Sequence, residues 1–303
     1  MNKSELGKLG VFTMVNSMTT AEAVKLAQQM ESWGYGCWWV PDISGRDQFV
    51  VLGTMFHATT ELKLATGITV IYTRDPGAMH EAYYTLNEIS GGRFILGLGA
   101  SHKEVVEYIL KKEYQKPLSA MRSYLAEFKS TPAQLLYFGE LDRAPLDKDG
   151  MIILAALQDK MIQLGGEEAD GVHPYLVSPE HTARAREILG PEPLLAPELH
   201  VVMIKDPSEA RRVARQYADA NLSLQNYQRY LKKYGYTDED FEQGGSDRLI
   251  DDIVAWGDET AIMKRVEAHW KNGADHVAIM PLDPEFDPVR APHIPTLEAL
   301  APA

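Results

Sequence analysis

The sequence predicts a (β/α)8 barrel with loop insertions, and two observations carry that prediction. Short runs that are apolar on both faces alternate with helix-patterned segments eight times along the chain. Strands buried on both faces belong to a parallel sheet covered by helices. The chain has 303 residues, 45% hydrophobic and 24% charged, which suits one large barrel that needs no staples. A doubly wound sheet is the competing architecture. The first strand–helix turn, Gly10-Val11-Phe12-Thr13, lacks the GxGxxG pattern that would favour it.

The elements follow in order. Residues 9–12 form the first strand. Thr19 and Glu22 match a capping box ahead of Ala23, Leu26, Ala27, Met30 and Trp33 at helical spacing, and Gly34 ends that helix. Residues 37–40 are the second strand, stopped by Pro41; a helix over 49–59 and a third strand over 64–72 come next. Asp75 caps the following helix with Pro76 at its first position, where a missing N–H costs nothing. Met79, Ala82, Tyr83, Leu86 and Ile89 are its apolar face, and Gly91-Gly92 stops it. Residues 93–98 are the fourth strand, and Ser101 with Glu104 reads as a second capping box. Strands five to eight are expected at 152–157, 171–177, 200–204 and 276–280. Between them come helices at 160–168, after Ser178-Pro179, after Asp206-Pro207, and at 249–256 and 260–271. The connections at 119–150 and 221–245 are the insertions. With no low-complexity linker and no internal repeat, residues 1–303 read as one domain.

Composition narrows the function classes. A formal net charge of −13 argues against non-specific nucleic-acid binding and against anionic membrane surfaces. Cys37 is the one cysteine, so neither an intrachain disulfide nor a cysteine-rich metal site is available. Residues 1–8 carry no apolar signal core and no long apolar run follows, so a cytoplasmic protein acting on a small molecule is expected. HxH, HExxH and GxSxG are all absent, which speaks against a metal centre and a serine hydrolase.

Barrels bind ligands at the C-terminal ends of their strands. The polar residues that follow each apolar run are Asn16, Asp42, Tyr72, Arg74, Ser101, His102, Gln158, Asp159, His173 and Tyr175. His102 and His173 follow their strands directly, so each is either a proton donor near neutral pH or a hydrogen-bonded structural histidine. Gly67 interrupts the third strand, the mark of a bulge or of close backbone approach to a ligand. Gly97, Gly99, Ala155 and Ala156 are small residues near the ends of neighbouring strands and suggest room for a planar ligand.

Thr66-Gly67-Ile68-Thr69, Tyr72-Thr73-Arg74-Asp75-Pro76 and Ser90-Gly91-Gly92-Arg93-Phe94-Ile95-Leu96-Gly97-Leu98-Gly99 resemble the luciferase-like oxidoreductases. Gly34-Tyr35, Ala169-Asp170-Gly171 and Asn272-Gly273-Ala274-Asp275 extend the likeness over nearly the whole chain. Val172 to Val177, followed by Pro179-Glu180-His181-Thr182, is similar to the branch that uses coenzyme F420, an 8-hydroxy-5-deazaflavin. The resemblance implies a bacterial-luciferase-like TIM barrel with F420 at its mouth. It implies hydride transfer between the deazaflavin C5 and a C=C, C=O or C=N bond, or the reverse. It further implies a cis Gly67–Ile68 peptide behind the ring, and ring or substrate contacts at Gly99, Ser101 and His102. Cofactor phosphate is expected at Ala155, Ala156, Gln158, Asp159 and Lys160, beside a helix N-terminus. Gln158-Asp159 stands where relatives commonly carry Gly-Pro. His102, then His173, then Asp42 are the proton-donor candidates, with Tyr72 and Tyr175 toward substrate. An FMN-dependent monooxygenase and a relative that has lost cofactor binding are the alternative readings, and a homodimer is compatible with the family.

Overall fold

A computed structural model describes residues 1–43, 45–130, 134–135, 139–140, 146, 148–286 and 292–302. Part of the insertion expected at 119–150 therefore lies outside the described residues. Strand β1 (Leu9–Phe12) pairs in parallel with β2 (Cys37–Val40), and β2 with β3 (Lys63–Thr66). After a break the chain resumes as β4 (Thr69–Val70), and both β3 and β4 pair with β5 (Phe94–Gly99). A short antiparallel pair, β6 (Gln134–Leu135) and β7 (Gly139–Glu140), forms its own sheet. β8 (Met151–Leu154) follows β5, β9 (Gly171–Val172) follows β8, and β10 (Leu194–Leu195) follows β9. β11 (Glu198–Val202) carries β12 (Val254–Trp256) on one edge and β13 (Val277–Pro281) on the other, and β13 pairs with β1.

Only Ala196 and Pro197 separate β10 from β11. Ala196 N donates to Val172 O at 3.0 Å, while Ala278 N donates to Pro197 O at 3.0 Å. Residues 194–202 thus pair with the sixth strand on one side and the eighth on the other, and the sheet closes into a barrel.

Helices α1 (Thr20–Ser32), α2 (Gln48–Ala58), α3 (Pro76–Ser90), α4 (Pro117–Ser130), α5 (Asp159–Glu168) and α6 (Pro179–Leu189) surround it. The second insertion carries α7 (Pro207–Leu222), α8 (Gln225–Lys232), a 3-10 segment at Asp238–Gly244 and α9 (Asp247–Ile253). α10 (Glu259–Lys271) leads into the last barrel strand, and α11 (Ile294–Ala299) follows it. Thr19, Asp75, Ser178 and Asp206 cap their helices as the sequence predicts, and Gly91 ends α3 at φ +62°.

Three expectations are corrected. Ser101 has φ +58° and makes no capping bond, because an N-cap needs extended backbone. The helical turn after it is π-type at Val105–Ile109. The sixth strand stops at Val172, since Pro174 has no N–H to continue the ladder. Residues 254–256 form a strand instead of a last helical turn, because β11 offers them an open edge.

Two apolar layers fill the fold. Leu9, Val11, Trp38, Val40, Leu64 and Leu96 pack outward against Leu26, Met30, Leu52, Met55 and Leu86 of the helices. Phe12, Trp39, Ala65, Ile95, Ile153, Ala278 and Met280 belong to the other cluster, which continues into the insertion helices. The most specific sequence motif closes the N-terminal rim. Arg93 donates to the carbonyls of Phe56, Thr59, Leu62 and Ser90 at 2.9–3.1 Å. Asp170 and Asp275 accept the strand N–H groups of Ile152 at 2.7 Å and Leu195 at 2.9 Å.

The break in the third strand sits at the opposite rim. The Gly67–Ile68 peptide is cis. Gly67 N donates to Val40 O at 2.8 Å and Asp42 N to Ile68 O at 3.3 Å, so the second strand holds the bulge from one side. On the other side Thr66 Oγ1 donates to Gly97 O at 2.8 Å and accepts from Gly97 N at 2.9 Å. The small residues of β5 make room for this bulge itself. A Cβ at Gly97 would collide with Thr66 O, and one at Gly99 with the Ile68 side chain. A backbone oxygen cannot yield, whereas the end of an isoleucine can rotate. Gly97→Ala is therefore expected to cost about 3 kcal/mol or more and Gly99→Ala about 1 kcal/mol in urea unfolding. Equal costs would contradict this account.

Candidate active site

The bulge forms one wall of the C-terminal mouth, with half-buried Ile68 at its tip. Asp42 stands beside it at the end of β2. Burial pushes its carboxyl pKa up, against the lowering effect of a Val70 backbone hydrogen bond and of Thr73, whose hydroxyl donates to Oδ2 at 3.3 Å. The left-handed Ser101 turns the chain so that half-buried His102 follows at the mouth. Burial lowers the pKa of this imidazole, with Glu104 opposing, and its ring lies 5.6 Å from that of Tyr227 on α8. Tyr175, on the loop after β9, packs 5.4 Å from Phe12, 5.4 Å from His200 and 6.4 Å from Tyr227. The structure thus brings Asp42, Ile68, His102 and Tyr175 to one rim.

The turn after β8 lies on the same rim. Ala155 N donates to Leu98 O at 2.8 Å. Gln158 is the N-cap residue of α5 but makes no side-chain capping bond. His181 Nε2 reaches Leu157 O at 3.0 Å and fixes the turn from behind. Asp159 turns aside to Arg184 at 3.2 Å and Lys233 at 3.5 Å. Burial would raise its pKa, but those two cations hold it below the ordinary carboxyl value. Ala156 is buried in this turn and Lys160 is exposed.

Other candidates sit apart from this rim or are already engaged. His173 is 2% exposed, stacks on Trp39 at 4.3 Å and has Nδ1 2.6 Å from Ala196 O. It belongs to the barrel filling. The hydroxyl of Tyr72 accepts from Gln115 N at 3.1 Å, tying down the segment after the π turn. Arg74 pairs with Asp47 and covers the Phe49 ring in the groove between α2 and α3. Asn16 donates to Ile43 O at 3.3 Å. Among the described residues no group of three or more His, Cys, Asp or Glu could hold a metal ion, and no helix is long and apolar enough to cross a membrane.

A family model described as luciferase-like monooxygenase matches residues 6–276. The chain belongs to the luciferase-like monooxygenase family. A 5,10-methylenetetrahydromethanopterin reductase of Methanolobus tindarius is 34% identical over 161 residues, which is 50% of this chain and 48% of that protein. The chain thus spans about half the length of that relative. Among solved structures, the coenzyme F420 dependent tetrahydromethanopterin reductase from Methanopyrus kandleri superposes with a TM-score of 0.72 at 18% identity, covering 90% of this chain and 92% of that one. The oxygenating constituent of 3,6-diketocamphane monooxygenase of Pseudomonas putida, in complex with FMN, gives 0.66 at 16% identity, covering 97% of each chain. At these identities the solved structures establish the luciferase-like TIM-barrel fold.

Within that family frame, sequence reasoning missed Tyr227, Glu198 and His200. Tyr227, Tyr230 and Leu231 are a buried i, i+3, i+4 stripe on α8, a signal that helical periodicity could have supplied. Glu198 and His200 lie inside an otherwise apolar strand and carry no motif.

The buried histidines yield a pH prediction. Trp39 Nε1–H donates to His276 Nε2 at 3.1 Å, leaving His276 Nδ1–H to donate to Gly7 O at 2.9 Å. Burial holds His173, His181 and His276 at about 4 and His269 at about 3, against an ordinary 6.5. Between pH 6.5 and 4 the unfolded chain binds protons that the native chain refuses. Stability is therefore complete above pH 6.5 and falls as pH drops, by about 1.4 kcal/mol per pH unit per histidine. Urea midpoints from pH 7 to 4.5 should decline, and His276→Gln should reduce the slope by about one proton. An unchanged slope would remove His276 from the account.

Proposed function

We propose that this chain binds the deazaflavin F420 at the barrel mouth and moves a hydride between that cofactor and a small organic substrate. The bulge at Gly67–Ile68, bonded by Asp42 N and seated against Gly97 and Gly99 at the end of β5, is the observation that carries the reading. The relative named as a methylenetetrahydromethanopterin reductase supports it, as does the F420-dependent reductase among the solved structures.

The residues present fit such a group. Ile68 offers an apolar surface of backbone and side chain for a flat ring. Gly67 lets the bulge sit close on the barrel filling, since a Cβ there would press on Phe12 and Trp39 at 3.0–3.2 Å. Gly99 and Ser101 border the ring position. The N-terminus of α5 has no side-chain cap, so its first N–H groups are available to a phosphate. Lys160 adds positive charge, and Asp159 is neutralised by Arg184 and Lys233.

F420 supplies a hydride donor or acceptor at C5 of its ring. His102, kept neutral by burial, donates a hydrogen bond to the substrate atom that gains negative charge. Asp42, whose carboxyl holds its proton to higher pH than usual, is the second proton source. Tyr175 and Tyr227 wall the mouth where ring and substrate meet and exclude water.

Fluorescence titration tests the cofactor. F420 should bind more tightly than FMN. Tighter FMN binding supports the monooxygenase reading instead, and no binding of either supports a relative without cofactor. With reduced F420 and a panel of C=C, C=O and C=N acceptors, His102→Ala should slow turnover by roughly 100-fold, the cost of one transition-state donor. Its F420 affinity should stay within a few-fold, and His102→Gln should recover part of the rate. Normal turnover by the alanine variant would reduce His102 to a structural residue.

A further inference from the structure

A fully buried carboxyl group that faces no ligand is costly unless its oxygens are used. Glu198 is 0% exposed on the seventh barrel strand. Its Oε2 accepts Leu176 N at 3.1 Å, and its own N donates to Pro174 O at 2.8 Å. His200 Nδ1 lies 2.7 Å from Oε1, an ion-pair distance, although the angle is poor for a hydrogen bond. One side chain therefore links the seventh strand to the loop after β9 and to the imidazole beneath that loop.

That loop needs holding. Leu176 has φ +57°, a left-handed conformation that costs a leucine roughly 1–2 kcal/mol. Its N–H is fixed by Glu198, its carbonyl by the Tyr230 hydroxyl, and its side chain is buried. The residue before it is Tyr175, whose ring meets Phe12, His200 and Tyr227. Extending the loop at Leu176 would swing Tyr175 out of this set. His200 forms the floor beneath Tyr175, and the same carboxyl group contacts it.

We propose that Glu198 is a positioning residue for the candidate site: one carboxyl oxygen fixes Leu176 N–H and the other stands against His200, so that Tyr175 is held as a wall of the barrel mouth. It touches neither cofactor nor substrate and acts through Tyr175. The functional half of this inference rests on the deazaflavin reading above.

The test uses the full chain with Glu198→Met, which keeps volume and removes both acceptors, Glu198→Gln, which keeps one, and Tyr175→Ala. Amide hydrogen exchange of residues 173–178 in the ligand-free protein is the first readout, and quenching of F420 fluorescence is the second. Glu198→Met should speed exchange at Leu176 by roughly tenfold or more while leaving β1 and β5 protected. It should weaken F420 binding by roughly tenfold, as Tyr175→Ala does, and the double variant should be no weaker than Tyr175→Ala alone. Glu198→Gln should stay near wild type in both readouts. Slow exchange at 173–178 in Glu198→Met, faster exchange throughout the barrel, failure of that variant to fold, or losses that multiply in the double variant would each overturn the proposal. Wild-type protein that leaves F420 fluorescence unchanged ends the deazaflavin reading, while the exchange comparison still judges the positioning role of Glu198.

Discussion

The structure depends on the closure made by residues 194–202. This segment satisfies the sixth strand at its start and the eighth along its length, so the barrel sheet has no unpaired seam there. Closure fixes an interior of limited width, and side chains must fill it. Phe12, Trp39, His173 and Tyr175 do so as a continuous ring-on-ring packing, with His276 and His200 at its sides. Two of these imidazoles bond to backbone carbonyls at the barrel wall. His276 is held between Trp39 and Gly7, and His173 meets the Ala196 carbonyl.

The two rims solve different problems with the same chain. At the N-terminal rim, Arg93, Asp170 and Asp275 occupy backbone groups that the ends of parallel strands leave open. Those residues lie in the stretches that resemble the family, and their task is structural. At the C-terminal rim the backbone departs from regular geometry at Gly67–Ile68, Ser101 and Leu176. Each departure is pinned by a named contact: Thr66 to Gly97, Tyr114 to Ser101 O, and Glu198 to Leu176 N. Irregular backbone held in this way is where barrels carry ligand contacts.

Burial sets the protonation of the mouth. It lowers the His102 pKa and raises that of Asp42, so both groups are driven toward their neutral forms. The His102 shift comes from desolvation, with Tyr227 of α8 lying against the ring. Asp159, a carboxylate beside the proposed phosphate position, is drawn away by Arg184 and Lys233.

The sequence by itself determined the barrel, most helix caps and the break at Gly67. Apolar runs, Asp-Pro starts and Gly stops act over a few residues, so local chemistry suffices to read them. It also located the rim on which Asp42, His102 and Tyr175 meet, because strand ends dictate that rim. Only the tertiary structure decided the rest. His173 and Tyr175 follow the same strand two residues apart, yet one is sealed against Trp39 and the other borders the mouth. Ser101 reads as a cap but adopts φ +58° where β5 ends. Tyr227 comes from an insertion 125 residues beyond His102, and Glu198 acts on Leu176 from the next strand, 22 residues away. Contacts between such distant segments are set by the closed barrel and leave no periodic trace in the chain.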